Sequence, residues 1–178
     1  MHENSSEFIA PDGRIWGDGL GFVKLTPWIK DLTTKYNVGS MLEVGAGRGA
    51  QTDKKHWQGK TIEEYFNLQL YDQYDPAIPG IDKWPDKVYD CTIAIWVVGA
   101  IELDDFVWWL DNIAKRTSKF CFMSGVHRFE DDSPTTRTEK LYQTIFKNYW
   151  RGPDLYYLHD EELSPWTQDW LNNSIIKK

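Results

Sequence analysis

Nine consecutive residues carry the clearest chemical signal in this chain: Glu43-Val44-Gly45-Ala46-Gly47-Arg48-Gly49-Ala50-Gln51. Three glycines at alternate positions let a backbone turn tightly and let a ligand approach it, because no Cβ stands in the way. Where such a turn passes from a strand into a helix, unpaired N–H groups face an acceptor. By spacing alone, Gly45-Ala46-Gly47-Arg48-Gly49-Ala50 also fits the dinucleotide pattern G-x-G-x-x-G/A. Glu43 separates the two readings. An acid two residues before the first glycine suits a ligand with a cationic amino-acid end. It suits a pyrophosphate poorly, because like charges repel.

The elements around this loop must place it. Ser40 to Val44 is a short apolar strand running into the glycines, and the polar stretch after the loop, through Trp57, reads as helix. Thr61-Ile62-Glu63-Glu64 has the capping-box pattern of a short helix. Leu68-Gln69-Leu70-Tyr71 alternates as a strand does, and Asp75-Pro76 through Pro79-Gly80 is turn chemistry. Tyr89 to Val98 is a near-continuous apolar run, suited to a strand covered on both faces. Asp104 and Asp105 open a helix, where acid complements the dipole, with Phe106, Val107, Leu110, Ile113 and Ala114 as its apolar stripe. Phe120 to Met123 is a further buried strand.

Strand and helix alternate from residue 40 to 126, which predicts parallel βα units and an α/β fold. Upstream, Thr26-Pro27 reads as a cap followed by proline in the first turn. The helix it opens is expected to reach about Tyr36, with Trp28, Ile29 and Leu32 on one face. The glycine-rich residues 1–25 read as an ordered loop or lid. Downstream, a helix carries Leu141, Tyr142, Ile145, Phe146 and Tyr149, Leu155 to Leu158 form a strand, and Ser164-Pro165 starts a last helix bearing Trp166, Trp170 and Leu171. The expected organisation is a single domain: residues 1–37 as N-terminal lid and helix, 38–126 as the ligand-binding core, and 127–178 completing the sheet and the substrate side.

Composition narrows the classes. With 178 residues, 41% hydrophobic and 26% charged, the chain suits one globular domain with one real core. Its net charge of -7 repels nucleic-acid phosphates, so nucleic acid is not the expected partner. No apolar run reaches the ~18 residues needed to span a bilayer. The opening Met1-His2-Glu3-Asn4-Ser5-Ser6 lacks the basic and apolar segments of a secretory signal, so a cytoplasmic location is expected. Cys91 and Cys121 lack C-x-x-C spacing and read as small buried hydrophobes. Ten tryptophans imply an aromatic core or a pocket that stacks a flat ligand.

The run Glu43 to Gly49 resembles motif I of class I S-adenosylmethionine-dependent methyltransferases. A wider ordered set, Gly49-Ala50-Gln51, Tyr74-Asp75-Pro76, Trp84-Pro85 and Tyr89-Asp90-Cys91, resembles small members of that class common in phages. The similarity spans roughly residues 38 to 126. It implies a Rossmann-like three-layer sandwich with a mostly parallel sheet, and S-adenosylmethionine as cofactor, in the cytoplasm of a host if the chain is phage-encoded.

Residue by residue, the resemblance implies that Glu43 faces the methionine amino group, directly or through water. Gly45, Ala46, Gly47 and Gly49, with Gln51 after them, form the floor under methionine and ribose. An acid closing the second strand accepts from both ribose hydroxyls, because a carboxylate offers two acceptor oxygens. Asp75 is the first choice and Asp72 the second. Trp84, Asp86 and Asp90 fall where the family lines the adenine. Trp84 either stacks on the base or packs in the core. Ile95 and Trp96 fall near the reactive methyl.

The match thins after the fourth family strand. Where the phage-type proteins carry an Asp-x-x-Glu-His-type segment, this chain reads Trp96-Val97-Val98-Gly99-Ala100-Ile101-Glu102. The Asn/Asp-Pro-Pro-aromatic motif of nucleic-acid amino-methyltransferases is also absent. Methyl transfer needs positioning more than covalent help, and a general base only where the acceptor must lose a proton. His127 is a weak candidate for that base, His159 lies in a similar position after the later strand, and His56 reads as surface. Glu130-Asp131-Asp132 reads as a solvated acidic loop rather than a cation site, so no metal is expected. The sequence thus supports a methyltransferase acting on a small molecule or protein. The alternatives are a non-catalytic S-adenosylmethionine-binding protein on the same fold and, more remotely, an NAD-type oxidoreductase.

Overall fold

The structure is a computed structural model and describes residues 19–125, 139–158 and 175–176. Five parallel strands form its centre: β1 (Ser40–Val44), β2 (Leu70–Tyr74), β3 (Tyr89–Ile95), β4 (Thr117–Ser124) and β5 (Asp154–Leu158). A two-residue β6 (Ile175–Ile176) pairs antiparallel with β5. The order is β2-β1-β3-β4-β5-β6. In doubly wound sheets of this order the ligand crevice opens where the winding reverses, here between the carboxyl ends of β1 and β3.

Alternation along the strands builds two cores. Met41, Cys91, Ile93, Phe120 and Phe122 face one side with Phe22, Ile29, Leu32, Trp57 and Phe66. Leu42, Ala94, Cys121 and Met123 face the other with Phe106, Leu110, Ile113, Tyr142 and Phe146. The first side is covered by α1 (Leu20–Lys24), α2 (Thr26–Lys35) and α3 (Ile62–Phe66), the second by α4 (Leu103–Lys115) and α5 (Glu139–Tyr149). The result is a three-layer, Rossmann-like α/β sheet. Among the described residues no helix is long and apolar enough to cross a membrane.

Several elements match their sequence signals. Thr61 and Glu64 form the reciprocal capping box at α3, and Asp104 and Asp105 occupy the first turn of α4. Other expectations are corrected. Leu20–Lys24 is helical, not loop, and buries Phe22. Thr26 is a helical residue rather than a cap. Leu25 joins α1 to α2 with nearly helical angles, so the Thr26 hydroxyl turns back and donates to the Phe22 carbonyl at 3.3 Å. Strand β2 begins at Leu70, later than the alternation suggests. Strand β3 ends at Ile95, because Trp96 adopts φ 58°. On α4, Trp109 is buried while Val107 is 36% exposed. On α5, Tyr142 and Phe146 are buried while Leu141 and Tyr149 lie open.

The largest correction concerns the segment after the glycines. No α-helix follows; two 3-10 turns, Ala50–Thr52 and Lys54–Trp57, take its place. Gly49 is left-handed (φ 79°) and Asp53 is extended (ψ 121°), so only three residues between them can be helical. Asp53 then caps the second turn by accepting from the Lys55 N–H at 3.0 Å. The idea of a long helix aiming its N-terminus at a ligand therefore does not apply here.

Candidate functional site

β1 delivers its last residues to the crevice between β1 and β3. The chain then turns through three left-handed glycines: Gly45 (φ 76°), Gly47 (φ 60°) and Gly49 (φ 79°). The reasons for glycine differ. A Cβ on Gly45 would lie 2.1 Å from Val97 Cγ2, so the turn is packed hard against the residue after Trp96. A Cβ on Gly49 would meet nothing within 4 Å among the described residues, so on that side they leave the loop open. The loop is tied to the end of β2. The Gly45 and Ala46 N–H groups donate to the Tyr74 carbonyl at 2.7 and 3.3 Å, and the Gly47 N–H donates to Asp75 Oδ2 at 2.9 Å.

Glu43 lies beneath the loop on the α1–α2 side, 3% exposed. Its Oε2 accepts from three side chains: Gln51 Nε2 at 2.8 Å, Gln73 Nε2 at 3.1 Å, and the Tyr71 hydroxyl. Burial pushes the Glu43 carboxyl above the usual carboxylate range. The three donated bonds oppose that shift, and the nearby Asp75 charge adds to it. Burial, then the Glu43 charge, holds the Tyr71 hydroxyl well above its ordinary value.

Gln51 is fully buried. Its amide group donates to Glu43 and also to the Ala46 carbonyl at 3.0 Å, joining acid to loop. The Trp57 indole N–H donates to the Gln51 backbone carbonyl at 2.5 Å and fixes its position. Gln51 Oε1 is buried without a hydrogen-bond partner among the described residues. It lies against Gly19, whose Cβ, if present, would fall 1.8 Å away.

The two acids proposed for ribose sit in different settings. Asp75 closes β2 at the loop; Oδ2 takes the Gly47 N–H and Oδ1 takes the Ala77 N–H at 2.9 Å. A carboxylate has about four lone-pair sites, so two further donors can still be accepted. Asp72 is committed away from the loop, accepting from the Tyr89 hydroxyl at 2.5 Å and Lys87 Nζ at 3.0 Å. It borders a groove of about 620 Å³ along β2, lined also by Thr61, Ile62, Gln73, Ile81 and Lys83.

Trp84 stacks on Tyr74 at 3.8 Å, lies under the Arg116 guanidinium at 5.0 Å and meets the edge of Trp108. Its ring is thus engaged by neighbours, as a packing residue is. Asp90 is at the opposite end of the sheet, accepting from the Gly39 N–H at 2.6 Å, while Asp86 is exposed. Ile95 and Trp96 do reach the carboxyl end of β3. Gly21 of α1 packs directly onto them; its Cβ would be 2.8 Å from Ile95 and 2.9 Å from the Trp96 ring. Lys24 Nζ lies 5.0 Å over that ring. His127, His159, Glu130-Asp131-Asp132, the expected helix from Ser164 and residues 1–18 lie outside the described residues.

Sequence reading missed Tyr71, Gln73 and Val97. A signal for the first two exists: they alternate on β2, and the register Glu43↔Gln73 and Met41↔Tyr71 puts them on the face of Glu43. Val97 carries no such signal, because its contact depends on the turn at Trp96.

For a ribose-bearing ligand with a charged amino-acid end, the arrangement offers Asp75 with spare acceptor capacity beside an open Gly49. Glu43 is present but already meets three internal donors. The chain matches no family model, no curated protein and no solved structure.

Proposed function

We propose that this chain binds S-adenosylmethionine at the glycine turn and transfers its methyl group to a small-molecule or protein acceptor. The observation that supports this most is the Gly47 N–H bond to Asp75. It brings an acid at the end of β2 against a glycine turn at the β1–β3 crevice, where a ribose can be gripped by its two hydroxyls. The methionine part would lie along Gly45 to Gly49. The bound sulfonium supplies an already activated methyl group. The protein then has to hold the acceptor in line with it and keep water away.

A second reading is binding without turnover. It is favoured by the packing of Val97 on Gly45 and of Gly21 on Ile95 and Trp96, which fills the carboxyl end of β3 where an acceptor would approach.

Calorimetry of the full chain with S-adenosylmethionine, S-adenosylhomocysteine and NAD tests the proposal. Binding of the two adenosyl compounds and not NAD is expected. Asp75→Ala should weaken that binding by about 1–3 kcal/mol, and Asp72→Ala should leave it nearly unchanged. An equal loss from Asp72→Ala moves the assignment, and no adenosyl binding ends it. Release of S-adenosylhomocysteine in the presence of cell extract separates transferase from binding protein.

A further inference from the structure

We infer that Glu43 is a positioning residue that sets the glycine turn through Gln51, and that it does not touch the amino-acid end of a bound ligand. This rests on the adenosyl-binding reading above and refines it.

The geometry carries the argument. One oxygen of Glu43 meets Gln51, Gln73 and Tyr71 together. All three come from the chain itself, and the carboxyl is 3% exposed. A ligand ammonium approaching that oxygen would compete with three donors in place and would have to pass the fully buried Gln51. The link toward the ligand side is instead the second bond of the same Gln51 amide, to the Ala46 carbonyl. That carbonyl belongs to the turn whose next N–H, that of Gly47, reaches Asp75. Glu43 therefore acts by orienting one amide: with an acceptor oxygen beneath it, Gln51 must present its NH₂ group inward, leaving the second hydrogen for Ala46. The Trp57 indole holds the Gln51 backbone from which this fork extends. A buried network acts as a unit when every donor in it has an acceptor.

A ligand-truncation experiment distinguishes the two roles. S-adenosylhomocysteine has the amino-acid end and 5′-methylthioadenosine lacks it. If Glu43 positions the turn, Glu43→Ala weakens both ligands by the same factor, about tenfold, and Glu43→Gln recovers both together. If Glu43 meets the ammonium, both variants weaken S-adenosylhomocysteine alone, and the inference is overturned.

A ligand-free measurement stands beside it. Gln51→Leu should speed hydrogen exchange of the Gly47, Arg48 and Gly49 amides at least tenfold, with β4 amides unchanged. Unchanged loop exchange in that variant also overturns the inference. Wild-type protein that binds neither nucleoside ends the adenosyl reading, while the exchange result still judges the positioning role.

Discussion

Two ends of one sheet treat their acids in opposite ways. At the amino end, Asp90 accepts from the Gly39 N–H at 2.6 Å and pairs with Lys119 at 3.2 Å. Nearby, Tyr36 joins Asp154 and the Tyr156 hydroxyl, and Lys35 donates to Tyr156 at 3.1 Å. Burial pushes the Asp90 carboxyl up, but the Gly39 N–H and Lys119 outweigh it and hold the group below its ordinary value. At the carboxyl end, Glu43 has only neutral donors, and burial holds it above its ordinary value. The same end holds three left-handed glycines, a left-handed tryptophan and an amide oxygen with no partner among the described residues. In open α/β sheets ligands lie beyond the carboxyl ends of the strands, and strained backbone persists where the surrounding structure over-determines it.

Gly45→Val places carbon against Val97 at an angle side chains avoid. It should cost about 3–5 kcal/mol in urea unfolding; a loss below about 1 kcal/mol would show that the carboxyl end is not tightly packed. Asp90→Asn should cost about 1–2 kcal/mol at neutral pH. Because the folded-state value is depressed, that contribution exists above the unfolded pKa and is lost as pH falls through the folded one. The wild-type and variant unfolding curves should therefore converge in acid.

Glu43→Gln should give the reverse trend. A raised acid favours folding fully below its unfolded pKa, and that advantage is lost as pH rises through the folded value. Wild type should thus lose stability relative to Glu43→Gln between acid and neutral pH. A parallel pH series on both variants checks the two slopes, and slopes of the same sign would break the contrast. The smallest effect belongs to Asn37, left-handed at φ 47° near the amino end. Asn tolerates that conformation, so Asn37→Gly should change stability by no more than about 0.5 kcal/mol.

How much of this was legible in the residues varies with the range of the contact. The strand at 40–44 and the Phe120–Met123 stretch of β4 follow from local apolar runs, whereas the polar start of β4 at Thr117 does not; the Thr61–Glu64 box follows from a spacing of three. The glycine turn was recognisable by composition. Its continuation as 3-10 turns was not, since it depends on the backbone angles chosen at Gly49 and Asp53. Trp109 rather than Val107 lies in the core because positions 106, 109, 110 and 113 share one helix face at the spacing i, i+3, i+4 and i+7, a period that the apolar Val107 obscured. Within the site, Asp75 was singled out by the Tyr74-Asp75-Pro76 resemblance, and its place at the end of β2 beside Gly47 is a matter of fold; the triple bond set on Glu43 needs β2 in register beside β1. Gln51 was noted as part of a motif, but its role as a two-way fork emerges only when the chain folds back eight residues.

The staggered placement of Cys91 and Cys121 on β3 and β4 has a practical consequence. In register Cys91 lies beside Phe120 and Cys121 beside Thr92, so the two thiols point into opposite cores. Burial pushes both well above the ordinary thiol value, and neither reacts until its own layer opens. Oxidant cannot bridge them in the native fold. Timed alkylation followed by mass mapping would report, from one sample, which of the two helical layers peels from the sheet first.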